Sequence, residues 1–154
     1  MQSDKMIQAI RHRFNSSDLE LVGVHVRQRD KYSNPVTLEA PVSFFNNAFA
    51  KMRSLLGGSK ALFVVAGNNL TWCRDNLKGP DIVVLDDAKA EVHFAVLASC
   101  QHGVVSIGTF GWWSAWLSGG HVIYYVRFPI PESTEAVGFV AEDYYPTHWI
   151  PVDH

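Results

Sequence analysis

Cysteine is scarce in this chain: Cys73 and Cys100 are the two present, and neither belongs to a C-x-x-C pair. Two isolated thiols exclude a cysteine-built zinc site and a disulfide-stapled miniprotein. They leave two readings open, one disulfide in an oxidising lumen or two buried free thiols. Positive charge is also short, with 13 Lys and Arg against 15 Asp and Glu for a net charge of -2 and a pI near 6.4. No broad basic field exists to hold nucleic acid, so an acidic ligand must be met by local cations. Long apolar runs are missing as well. No segment reaches the roughly 18 uninterrupted apolar residues of a membrane span, and the N-terminal MQSDKMIQAIRHRF has no signal-peptide core, so the chain reads as soluble. Several motifs are absent too. No G-x-G-x-x-G follows the first predicted strand, which argues against a dinucleotide oxidoreductase, and no G-x-S-x-G elbow supports a hydrolase. Asp86 and Asp87 are adjacent rather than spaced as D-x-D, so nothing in the sequence points to a divalent ion on a diphosphate.

What is present is apolar content. With 154 residues and 47% hydrophobic side chains, the chain has the size and the core of one globular domain. Leu19–Val26 predicts a buried strand. Pro41 stands where a helix begins, and Val42, Phe45, Phe49, Met52 and Leu56 recur at helical spacing until Gly57-Gly58. Lys60–Ala66 and Asp81–Leu85 predict the second and third strands, and 68–77 and 88–99 predict helices. Gly103–Ile107 and His121–Val126 complete the strands, separated by the aromatic helix Trp112–Leu117, whose Trp112, Trp113 and Trp116 are assigned mainly to the core. Alternation at these lengths implies an α/β fold, a Rossmann-like, doubly wound and mainly parallel sheet of about five strands. Beyond Pro129 the sequence predicts an irregular tail packed across the domain.

Two segments carry the chemistry. Val22–Asp30, VGVHVRQRD, and Ser106–Gly120, SIGTFGWWSAWLSGG, are apolar runs that break into polar or glycine-containing sequence suited to phosphate. In a parallel sheet both breaks fall at one edge, where open α/β sheets bind their ligands. The turn Gly108-Thr109-Phe110-Gly111 can bring backbone N–H groups and a hydroxyl to the start of the next helix, a ready site for phosphate. Arg27 and Arg29 are the candidate cations.

The string His25-Val26-Arg27-Gln28-Arg29-Asp30-Lys31-Tyr32 is followed in order by T-W-C-R-x-N, S-x-C-x-H and S-I-G-T-F-G. In that combination the chain resembles the galactoside α-1,2-fucosyltransferases, glycosyltransferase family 11, over most of its length. The resemblance implies the C-terminal, donor-binding half of a GT-B-type enzyme, with residues 1–18 a remnant or linker, 19–130 the GDP-fucose domain and 131–154 a packed tail. It implies an inverting transfer of L-fucose from GDP-fucose to the 2-hydroxyl of a galactoside-terminated glycan, independent of metal. It also implies a Golgi lumen or membrane setting, with an anchor and an acceptor domain outside this chain. Arg27 would then hold the pyrophosphate and stabilise the leaving group, and His25, Ser106 and Thr109 would complete the donor pocket. No residue stands out as general base.

The residues by themselves leave room for other readings. Arg27 could instead pair with Asp30 across a loop, and His25 could be a satisfied core histidine. Asp30 reads as support for the arginine loop, because a carboxylate beside pyrophosphate opposes binding. Gln28 stands where the family carries a second arginine, with the charge moved to Arg29, which points the other way in extended chain. His93 stands where the family opens a helix with an acidic residue. These departures keep a second reading alive, a truncated or diverged nucleotide-sugar-binding module without transfer activity, and a third, a flavodoxin-like domain for another phosphorylated ligand. Asn15 and Asn69 head N-x-S/T sequons.

Overall fold

The structure, a computed structural model, describes residues 1–14, 18–29, 38–57 and 60–154. In chain order it contains α1 (Gln2–Phe14), β1 (Leu19–Val26), α2 (Val42–Leu55), β2 (Lys60–Gly67), α3 (Leu70–Asn76), β3 (Ile82–Val84), α4 (Ala90–Ala98), β4 (His102–Val105), α5 (Thr109–Ser118) and β5 (Val122–Tyr125). A 3-10 turn at Thr134–Ala136, then α6 (Ala141–Tyr144) and β6 (Ile150–Val152), follow.

The six strands form one sheet in the order β3-β2-β1-β4-β5-β6, and every pairing is parallel. Such a sheet must be covered on both faces, which explains why β1 reads as an almost unbroken apolar run. Its side chains alternate between two cores. Val22, Val24 and Val26 join Phe63 and Val65 of β2 beneath Phe44, Phe45, Phe49 and Met52 of α2. Leu19 and Leu21 join Leu62 and Val64 beneath Val96 and Leu97 of α4 and Ile10 of α1. Each large α2 side chain contributes about 1.5–3 kcal/mol by its burial.

The doubly wound parallel sheet is as expected, and the sequence-derived strands and helices between residues 19 and 126 all form, with ends shifted by a few residues. The strand count differs: β6 is a sixth strand, paired with β5 through Ile123 opposite Ile150. Its middle residue is Pro151, which an edge strand tolerates because one side of its backbone needs no partner. The tail that carries it is ordered by aromatic packing. Tyr145 stacks on Tyr124 with ring centroids 3.7 Å apart, Trp149 is buried, and the Trp112 indole N–H donates to the Tyr144 carbonyl at 2.9 Å. Residues 2–14, expected as a remnant or linker, form the helix α1. Its Met6, Ile7 and Ile10 recur at helical spacing and pack into the α4-side core.

One side-chain expectation changes, and one open choice closes. Trp112 is partly buried, but Trp113 and Trp116 are 53% and 49% exposed, so α5 buries only one face. Of the two readings left open for the cysteines, the free thiols hold. Cys73 lies in the α2-side core and Cys100 in the α4-side core, so the sheet separates them. Burial pushes the thiols up to about 11 and about 12, which leaves both unreactive at neutral pH.

Candidate functional site

The strand register brings the ligand edge together. Val26 is opposite Gly67 of β2 and His25 is opposite Val105 of β4, so three strands end side by side. Between β1 and β4 the chain order reverses, and this reversal opens a crevice beyond the strand ends. A cleft of about 340 Å³ lies there, lined by residues 25 and 27 at the end of β1, 66–68 at the end of β2, 90 and 93 at the start of α4, and 107–110 running from the loop after β4 into the first turn of α5. Among the described residues that line it there is no carboxylate, and Arg27 is the one with a permanent positive charge. An anion is the ligand such a wall favours.

Helix α5 aims its N-terminus into this cleft. Gly108 occupies the cap position with φ 89° and ψ 156° and no side chain caps the helix. Only glycine adopts that backbone readily. Unpaired N–H groups of the first turn and the helix dipole therefore face the cavity, with Thr109 exposed beside them.

His25 closes the floor. It is buried, its ring lies 4.9 Å from that of Phe110, and its Nδ1 has no hydrogen-bond partner. Gly111 is required by this approach, since a Cβ there would sit 2.6 Å from that nitrogen. Burial, aided by the nearby Arg27 cation, pulls His25 down to about 4, so the ring is neutral at physiological pH. A neutral imidazole places no second charge on the wall.

Four of the five sequence-derived site residues are described, and the structure brings three of them, His25, Arg27 and Thr109, to one cleft. Ser106 is the exception. Its hydroxyl is buried, donates to the His25 carbonyl at 3.1 Å and accepts from the Arg27 N–H at 3.0 Å, so its proton is committed to the backbone. Asp30 lies outside the described residues, and so does the Asn15 sequon. Arg29 does not line the cleft; its backbone N–H is bonded to Glu39 Oε1.

A family model described as Glycosyl transferase family 11 matches residues 2–153. The chain belongs to this family. It is 33% identical over 142 residues to galactoside alpha-(1,2)-fucosyltransferase 1 of Saimiri sciureus, covering 86% of this chain and 38% of that protein. The Bos taurus protein of the same name is 33% identical over 140 residues, covering 86% of this chain and 39% of its own length. The chain therefore spans about two fifths of these relatives. Among solved structures, the glycosyl transferase family 9 protein from Veillonella parvula DSM 2008 aligns over 100% of this chain and 41% of that one, with a TM-score of 0.56 and 12% identity. That likeness is one of fold.

In this family 11 chain, Asn68, Phe110 and His93 also line the cleft, beyond the residues the sequence marks as its site. His93 is buried in the cleft wall, where its Nε2 meets the Asp86 carbonyl at 2.9 Å. A carbonyl oxygen only accepts, so Nε2 carries the proton. Asn68 was legible in principle, as a polar residue directly after an apolar strand, but nothing in its spacing says which backbone it meets.

Proposed function

We propose that this domain binds the GDP-fucose donor for transfer of L-fucose to the 2-hydroxyl of a galactoside. The observation that carries the reading is a cleft, with no carboxylate among its described lining residues, in which Arg27, a neutral His25 and an uncapped helix N-terminus converge. The names of the family 11 relatives supply the sugar and the linkage. The acceptor oxygen attacks the anomeric carbon from the face opposite the leaving group and the carbon–oxygen bond to the diphosphate breaks, with inversion. GDP departs with the bonding electron pair, and the acceptor proton goes to a base outside the described cleft. Arg27 offers a planar fork to two diphosphate oxygens and gains strength as charge builds on the leaving oxygen. Thr109 and the first-turn N–H groups of α5 take further oxygens.

No metal is assigned a part in this reading, because Arg27 and the helix supply the positive potential a divalent ion would otherwise bring. The Golgi lumen is the setting the family resemblance suggests, and among the described residues no helix is long and apolar enough to cross a membrane. A second reading, a nucleotide-sugar-binding module without transfer activity, is favoured by the lack of a carboxylate base among the described residues that line the cleft.

Titration calorimetry of the full chain with GDP tests the site. Saturable binding is expected, selective over UDP and unchanged by a chelator. Arg27→Ala is expected to weaken it by about 2–3 kcal/mol, the worth of a charge-assisted contact. A folded chain with no affinity for GDP would overturn the reading.

A further inference from the structure

We infer that Asn68 and Ser106 are positioning residues that fasten Arg27 over the cleft from both sides; the ligand part of this inference rests on the donor site proposed above. The reason begins with backbone arithmetic. β1 ends at Val26, and beyond it the N–H and C=O groups of the chain lose their ladder partners and must find others. On the β4 side, the Arg27 N–H donates to Ser106 Oγ at 3.0 Å while the same hydroxyl donates to the His25 carbonyl at 3.1 Å. On the β2 side, the Gln28 N–H donates to Asn68 Oδ1 at 2.8 Å and Asn68 Nδ2 donates to the Gln28 carbonyl at 2.8 Å.

One edge of a primary amide presents an acceptor and a donor in a plane, as a strand backbone does. Val26 opposite Gly67 is the last pair of β1 with β2, so Asn68 is the next residue in register. Its side chain takes the place of the missing strand partner. Ser106 follows Val105, the last β4 residue paired with β1, and does the same from the other neighbour. Arg27 is thus held between two cross-links, one on its own N–H and one on the following residue.

The direction of the side chains follows. Gln28 is 7% exposed, turned into the protein, and successive residues of extended chain alternate, so Arg27 is turned to the cleft it lines. A long, rotamer-rich arginine loses much freedom on gripping a ligand, and fixing its backbone beforehand lowers that cost. Asn68 also lines the cleft, where its oxygen and one of its two amide N–H groups hold Gln28. In that role its effect on a diphosphate passes through Arg27.

Two measurements on the full chain test this. The first needs no ligand: amide hydrogen exchange at Arg27 and Gln28 by NMR in wild type, Asn68→Ala and Ser106→Ala. Exchange at Gln28 should quicken about tenfold or more in Asn68→Ala, and at Arg27 in Ser106→Ala, with the central β2 amides unchanged; protected amides in both variants would overturn the clamp. The second is a double-mutant cycle read with GDP. Asn68→Ala should bind GDP about three- to tenfold more weakly, and should add almost nothing in an Arg27→Ala background. Equal losses in both backgrounds would mean that Asn68 touches the ligand itself and would overturn its positioning role. If the wild-type chain ignores GDP, the donor-site reading fails together with the ligand part of this inference, whereas unchanged exchange defeats the clamp whatever the chain binds.

Discussion

His25 packs closely against Gly111 at the floor of the cleft. Because burial holds His25 near 4 rather than 6.5, the native state refuses a proton that the unfolded chain accepts. Its contribution is present in full above about pH 6.5 and is lost as the pH falls toward 4, which amounts to about 3 kcal/mol. Denaturant unfolding at pH 7 and pH 4.5 should show a drop in stability for wild type that is clearly smaller in His25→Gln; equal drops would remove His25 as its source. Gly111→Ala sets two effects against each other. Alanine favours a helix by about 1 kcal/mol over glycine, but its Cβ would lie 2.6 Å from His25 Nδ1, and overpacking of that kind costs about 1–3 kcal/mol. The clash should win. GDP affinity is expected to fall about tenfold by calorimetry, as the ring or the α5 N-terminus shifts. Undiminished affinity together with a higher melting temperature would show that the contact relaxes freely.

Among the elements, α2 and β1 were plain in the sequence because each repeats one physical signal over several turns or residues. Val42, Phe45, Phe49 and Met52 lie on a single helical face, and the helix that forms is Val42–Leu55. Phe49 is 2% exposed and packs 4.4 Å, centroid to centroid, from Phe63. Phe49→Ala should therefore cost about 3–5 kcal/mol in urea unfolding. Its face of the sheet is opposite the α5 packing of His25, so GDP affinity of the folded fraction should stay within a factor of about two of wild type. A large loss of affinity at preserved stability would contradict this division of labour. β6 carried no such signal. Three residues centred on Pro151 cannot show alternation, and only the open edge of β5 makes them a strand.

At the scale of the whole molecule, the tail is the element that completes the sheet. Residues 131–154 cap β5 with β6, stack Tyr145 on Tyr124, bury Trp149 and occupy the Trp112 indole. Deleting them would uncover an apolar edge strand, VIYY, beside a group of exposed aromatics. The truncated chain should lose cooperative thermal unfolding and associate, which light scattering and calorimetry would detect. A monomer with an unchanged transition would show the tail to be dispensable. The cleft itself is a product of topology, because only the reversal between β1 and β4 parts the loops that carry Arg27 and Gly108.

Fold class, family and most of the candidate site are legible in the amino-acid order alone. β-branched runs, helical spacing, and the His25-Val26-Arg27 and Gly108-Thr109 breaks are local signals that need no partner to be read. Tertiary structure decided the rest. Whether the two thiols met, whether Ser106 faced a ligand or a backbone, where Asn68 reached, and whether the tail was a strand all depend on which distant segments lie side by side. Hydrogen bonds at a strand end are settled by register, and register is a property of the assembled sheet rather than of any one stretch of chain.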